Sequence, residues 1–236
     1  MEFTKLSAPS LKDLFIRQVR SRILSGELTV GTRLPTEREL AAQMQVSRAV
    51  VNAGISELAR QGFVTVVPRV GTVVADYRRS GTIDTLLAIM DFQGQLLGRE
   101  EIRSLLQVRR ALEKLAVHLA VQAASDEELR QLAGLLDGLT RAETPAQGAE
   151  AAYAFHHELM LISGNTILPL LYCSCRGPVT ALWTQFISRY GPEPVIRHTE
   201  TLYSYLSRRD AQGAALWIDT YLEQILSGPL QLGRTE

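Results

Sequence analysis

Two helix-start signals eleven residues apart constrain this chain more than anything else in it. In Thr36-Glu-Arg-Glu39 the threonine hydroxyl can accept from the third helical N–H while Glu39 reaches back to the threonine N–H, so a short helix starts there and runs to about Met44. Ser47 can cap a second helix, in which Val51, Ile55 and Leu58 form a buried stripe and Gly62 ends the run. The join through Gln43-Met-Gln-Val46 puts the N-terminal end of that second helix forward.

The flanks complete the unit. Leu11, Leu14, Phe15, Val19, Ile23 and Leu24 recur at three-and-four spacing, which predicts a helix from about Ser10 to Ser25, ended by Gly26, with Arg17, Arg20 and Arg22 off its apolar face. Gly31-Thr-Arg-Leu-Pro35 reads as a turn. Phe63–Val67 and Thr72–Val74 are β-branched runs around Pro68-Arg-Val-Gly71, a hairpin with its turn at the tip. Three helices and a hairpin in that order make a winged helix-turn-helix over residues 1–75, followed by a polar linker at 76–82. From 83 to 228 the pattern is helical, with segments near 83–93, 99–124, 126–142, 148–163, 166–190, 195–208 and 210–227, punctuated among others by Gly98, and a tail at 229–236. The fold class is therefore mainly α: the winged helix, then an antiparallel all-α bundle.

Charge divides the same way. Lys and Arg balance Asp and Glu at 25 each, yet the chain through Arg79 carries a net of +5 and the remainder −5, so the first part is the candidate polyanion binder. Cys-Ser-Cys at 173–175 lacks zinc-finger spacing and reads as two reduced thiols in a helix. No stretch approaches the roughly 18 apolar residues of a membrane helix, which points to a cytoplasmic protein. His156-His-Glu158 does not make an enzyme, because adjacent helical side chains diverge by about 100°.

The forward helix end carries Ser47, Arg48, Ala49 and Asn52, and such an end fits the major groove. Arginine can pair bidentately with guanine and asparagine with adenine; the serine hydroxyl or N–H can hold a phosphate. Thr36 and Arg38 at the start of the preceding helix, and Arg69 with Gly71 at the hairpin tip, complete the expected contacts, the tip suiting a minor groove. The same arginines would equally sit on a solvated helix face with weak surface ion pairs.

The run Gly31-Thr-Arg-Leu-Pro-Thr-Glu-Arg-Glu-Leu-Ala41, with Val46-Ser-Arg48, Leu58, Gly62-Phe-Val64 and Arg69-Val-Gly-Thr72, resembles the signature of the GntR family of bacterial transcription regulators. The resemblance implies DNA contacts at Arg38, Ser47, Arg48 and Gly71; where the family usually has a second arginine this chain has Asn52, which changes the expected operator.

Val108-Arg-Arg-Ala-Leu-Glu113, Phe155-His156, Ser163-Gly-Asn165 and Leu206-Ser-Arg-Arg-Asp210 resemble the effector domain of the FadR branch. This implies a dimerising bundle around a ligand cavity, where many members hold a metal through one aspartate and three histidines. Here the aspartate position is Ala152, one histidine position is Thr199 with His198 one residue off, and the last is Tyr221, so only His156 remains and no tightly bound metal or other cofactor is expected. His198 would serve only through a backbone irregularity. Arg109 matches an arginine facing the cavity; with His156, Asn165, Trp217 and Tyr221 it makes up the expected effector site, although Asn165 also reads as a helix-junction cap, and Trp183, Phe186, Tyr190, Tyr203 and Trp217 as core and dimer packing. The expected function is a homodimeric, ligand-responsive repressor with a small organic acid or an acyl-type effector, the acyl-CoA choice being disfavoured by the bulk of Tyr221, and the competing reading is an architectural DNA-binding dimer without an effector.

Overall fold

The computed structural model describes residues 9–93 and 99–230. The first eight residues, Gly98 and the tail beyond residue 230 lie outside the described residues. The chain divides into two compact units, residues 1–92 and 93–236.

In the first unit α1 (Leu11–Leu24), α2 (Glu37–Met44) and α3 (Arg48–Arg60) precede a two-stranded antiparallel hairpin, β1 (Val64–Val67) and β2 (Gly71–Val74), paired Val64 with Val74 and Val67 with Gly71. Ser10 and Thr36 close capping boxes with Asp13 and Glu39, and Ser47 caps α3 through the Val50 N–H. Each satisfies N–H groups that a helix start leaves open, which is why the boundaries fall where the hydroxyl residues stand. Gly26 and Gly62 end α1 and α3 with φ of 79° and 76°, a left-handed conformation that glycine adopts without steric cost. The core joins Phe15, Ile16, Val19 and Ile23 of α1 to Leu40, Val51, Ile55 and Leu58, and is closed by Phe63, Val64 and Val74.

Three local expectations need correction. Leu11 and Leu14 are exposed while Ile16 and Arg20 are buried, so the buried face of α1 is rotated from the one expected. The segment read as a simple turn lines the hairpin: the Leu34 N–H donates to Thr72 O at 2.9 Å and Arg33 bridges to Val73, which extends β2 on its open edge. The polar segment at 76–82 contains a one-turn helix, α4 (Tyr77–Ser80), and the next helix, α5 (Ile83–Gln93), buries Ala88 in the same core as the winged helix. The first compact unit includes α5 and runs through Phe92.

The second unit is helical throughout its described residues: α6 (Arg99–Ala123), α7 (Asp126–Gly134), α8 (Leu136–Thr140), α9 (Pro145–Ile162), α10 (Leu168–Ser174), α11 (Arg176–Tyr190), α12 (Glu193–Ser207) and α13 (Ala211–Leu226). Two expected helices are each broken in two. Pro178 lacks an N–H and its ring would strike the carbonyl of Ser174, so the run through 166–190 breaks at Cys175. Gly134 and Gly138 weaken the other run, which breaks at Leu135. One apolar core runs through α6, α9, α11, α12 and α13, with α11 laid along α9 and α13 along α6.

Candidate nucleic-acid interface and buried polar cluster

The α2–α3 corner displays its polar ends outward. Thr36, Arg38, Ser47, Arg48, Ala49 and Asn52 are all exposed, and beneath them Leu40, Val51 and Leu58 anchor the two helices in the core. Among the described residues neither Arg38 nor Arg48 takes part in a salt bridge, so both guanidiniums are available to an anion. Asn52 is held differently: its Nδ2 donates to Oε1 of Glu37 at 3.0 Å. At the hairpin tip Arg69 is exposed with φ of 63°, a conformation uncommon outside glycine, and Gly71 follows with φ of 113° beside the Arg33 guanidinium. Such a corner presents hydrogen-bond donors and positive charge on a rigid base, with a protruding wing.

The second unit holds a different chemistry, buried. Arg109 and Glu113 lie one turn apart on α6, and Arg109 Nε donates to Glu113 Oε1 at 2.6 Å. The same carboxylate oxygen is 3.0 Å from Nδ1 of His156 on α9. The Arg109 guanidinium lies 4.4 Å above the Trp183 ring, His156 stacks on that ring at 5.1 Å, and His198 of α12 lies 5.7 Å from His156. Tyr221 of α13 stacks flat on His198 at 3.7 Å. Burial pushes the Glu113 carboxyl up, but Arg109 and His156 outweigh it and hold it below the usual carboxylate range. Burial also lowers both histidines, His198 far more, against the opposing pull of the Glu113 carboxylate.

Several buried polar atoms here have no hydrogen-bond partner among the described residues: Oε2 of Glu113, Nε1 of Trp183, the Tyr172 and Tyr221 hydroxyls, and both ring nitrogens of His198. Buried polar groups are ordinarily paired, so their convergence marks a place built to meet a polar guest or water. On its outer side Tyr221 also lines an open pocket of about 290 Å³ with Pro194, Arg197, Trp217, Gln224, Pro229 and Leu230. A narrower cleft of about 20 Å³ has Arg109 as its charged wall among Leu105, Leu106, Val179, Leu182, Trp183, Phe186 and Ile225.

Of the expected effector residues, Arg109, His156 and Tyr221 meet in the cluster, and Trp217 borders it, its Nε1 donating to the His198 carbonyl at 3.1 Å. Asn165 does not join them. Its Oδ1 accepts from the Ile167 and Leu168 N–H groups at the junction that leads into α10. His198 corrects an expectation: it faces His156 from a regular helix, because Val195, His198, Thr199, Leu202 and Leu206 together form the buried stripe of α12 and both adjacent positions fall within it. The metal set implied by the resemblance does not fit these residues. Ala152 and Thr199 offer no charged donor, Tyr221 covers His198, and among the described residues no group of three His, Cys, Asp or Glu side chains is placed to hold a metal ion.

Comparison with known proteins agrees with both halves. The family described as "Bacterial regulatory proteins, gntR family" matches residues 15–74, and the FCD domain family matches residues 104–224. The chain belongs to the GntR regulators that carry an FCD domain. The Bacillus subtilis HTH-type transcriptional regulator LutR is 26% identical over 87% of this chain and 96% of its own length. The uncharacterized regulator YcbG of the same organism is 28% identical over 89% of this chain and 87% of its own. The solved structure of the Listeria monocytogenes protein Lar shares the fold, with a TM-score of 0.61 at 16% identity over 94% of this chain and 97% of that one. This GntR regulator is a DNA-binding transcription regulator, and no helix among its described residues is long and apolar enough to cross a membrane.

Proposed function

We propose that this GntR regulator is a FadR-type, ligand-responsive repressor of the bacterial cytoplasm, binding a pseudo-palindromic operator as a homodimer. The carrying observation is the exposed α3 end, with Arg48, Ala49 and Asn52 outward on a helix anchored by Val51 and Leu58. Arg48 supplies the bidentate donor, Ser47 and Arg38 hold phosphates, and the wing at Arg69 and Gly71 lies along the neighbouring minor groove. Thr36 fixes the start of α2 and faces the same backbone.

The effector enters the FCD domain at the polar cluster. Buried atoms without partners on Glu113, Trp183, His198 and Tyr221 support a small guest with both donors and acceptors, such as an organic acid or an acyl-type ester. Trp217 and Tyr221 also line the open pocket beside it. A guest there changes the DNA affinity by a coupling free energy, and the operator changes the guest's affinity by the same factor.

The test measures anisotropy of a labelled duplex from the region upstream of the chain's own coding sequence, with thermal-shift screening of organic acids and acyl-CoA esters. A compound that raises the melting temperature and also shifts duplex affinity supports the reading, since a ligand specific to the native state stabilises it. Binding to the duplex that no compound alters, with no melting shift anywhere in the screen, would favour an architectural binder instead.

A further inference from the structure

Asn52 is exposed, and an exposed carboxamide can present its edge to DNA in either of two flips with opposite donor and acceptor order. Here one flip is selected. A carboxylate only accepts, so the 3.0 Å contact from Nδ2 to Glu37 Oε1 fixes the amide nitrogen toward α2 and turns Oδ1 away. We propose that Glu37 is a positioning residue for operator recognition, orienting the Asn52 amide so that it accepts adenine and rejects guanine. The inference rests on the reading of the α3 end as the base-contacting element.

The chemistry follows from the groove edges. Adenine offers an acceptor at N7 and a donor at N6, whereas guanine offers acceptors at both N7 and O6. With one amide hydrogen on Glu37, Asn52 keeps one hydrogen and Oδ1, a donor and an acceptor that match adenine and set Oδ1 against O6 of guanine. Glu37 is well placed for this. It is the first residue of α2, whose start is fixed by the Thr36–Glu39 capping box, and Asn52 stands one turn along α3 from Arg48. A carboxylate so close to a phosphate-lined groove is otherwise repelled, so its bond to a base-reading side chain gives the charge a use at this position. The pair couples the two helices through their polar ends, separately from the apolar packing beneath.

The experiment selects duplexes from a randomised pool with the full chain and with its Glu37→Ala, Glu37→Gln, Asn52→Ala and Glu37→Ala/Asn52→Ala variants, and measures melting temperatures and affinity for a scrambled duplex alongside. Wild type is expected to select adenine at one symmetric position of each half-site. Glu37→Ala and Asn52→Ala each lose that preference by about tenfold, and the double variant loses no more than either. Glu37→Gln, whose side-chain carbonyl still accepts from Nδ2, retains it. Melting temperatures of the Glu37 variants stay close to wild type, which a merely structural role for Glu37 would not allow; loss of the Glu37 charge tightens scrambled-duplex binding alike in Glu37→Ala and Glu37→Gln, so the adenine preference is read relative to the scrambled duplex of the same variant. Adenine preference unchanged in Glu37→Ala, or additive losses in the double variant, would overturn the proposal. So would loss of a cytosine preference in Glu37→Gln, which would mark Glu37 as a direct reader. A wild-type chain that selects no sequence at all would remove the DNA-reading assignment itself, a failure visible before any variant is compared.

Discussion

Arg109 Nε and Glu113 Oε1 are 2.6 Å apart, one turn apart on α6, with side chains only 7% and 0% exposed. Removing one member of such a pair leaves a buried charge without its counterion, at a cost of about 3–5 kcal/mol, whereas replacing both by apolar groups of similar volume is often neutral. Glu113→Leu is therefore expected to lower the unfolding free energy of the FCD domain severely, and Arg109→Met/Glu113→Leu to recover most of it. Urea unfolding followed by circular dichroism reads both; a double variant as unstable as the single one would show that the pair does not act as a unit.

Acid should weaken the same domain. His156 and His198 are held below their ordinary value of 6.5 by burial. A histidine with a depressed folded-state pKa stabilises fully above its unfolded value and loses that contribution as pH falls, since the unfolded chain then binds more protons. Glu113, also depressed, adds a loss of the same sign at lower pH, below its ordinary value of 4.5. The melting temperature is expected to fall from about pH 6.5 downward, and His198→Phe to flatten the first part of that fall. A melting temperature constant from pH 7 to 5 in wild type would contradict the assigned burial.

Close approach of α1 to α3 depends on Gly54. A Cβ added there would run into the Phe15 ring, which the core already encloses. Gly54→Ala is expected to destabilise the winged helix by about 1–3 kcal/mol through overpacking, despite the higher helix propensity of alanine. Phe15→Leu in the same chain should relieve part of it. Thermal melts of the two variants decide, and a stabilised Gly54→Ala would refute the contact.

Ser47 serves two roles that can be separated. Its hydroxyl accepts from the Val50 N–H at 3.3 Å, so Ser47→Ala should cost about 1 kcal/mol as a lost cap. Ser47→Asp restores the cap but places a negative charge at the phosphate-facing end, so stability should return while duplex affinity falls. Equal affinity for duplex in wild type and Ser47→Asp would remove Ser47 from the interface.

The starts of α2 and α3 were readable because Thr36 and Ser47 announce them, α1 from its apolar repeat, and the hairpin because β-branched runs flank its turn. Glu113 and His198 are another matter. Both sit in register with buried apolar neighbours, Leu106 seven before and Val117 four after the first, Leu202 and Leu206 four and eight after the second, so their burial was written in the stripe. A charged residue in a buried stripe is easily mistaken for one on its edge, because the pattern does not say where its partner comes from; Glu113 needs Arg109 and His156, and the latter lies 43 positions away on another helix. The break at Cys175 had a signal in Pro178 that the reading of one helix over 166–190 passed over, whereas the polar stretch at 76–82 gave no periodicity to betray the short helix α4. The Glu37–Asn52 bond joins residues fifteen positions apart, and only the tertiary corner brings them together.

The central claim, that Arg38 and Arg48 read or hold a duplex, is tested most directly by fluorescence anisotropy of the upstream duplex against a scrambled one at moderate salt, with wild type, Arg38→Ala and Arg48→Ala. The account predicts wild-type binding at least about a thousandfold tighter to the upstream duplex, with Arg48→Ala losing about 1–3 kcal/mol of that preference and Arg38→Ala weakening both duplexes alike. Equal affinity of wild type for the two duplexes, or variants that bind both as wild type does, would contradict it.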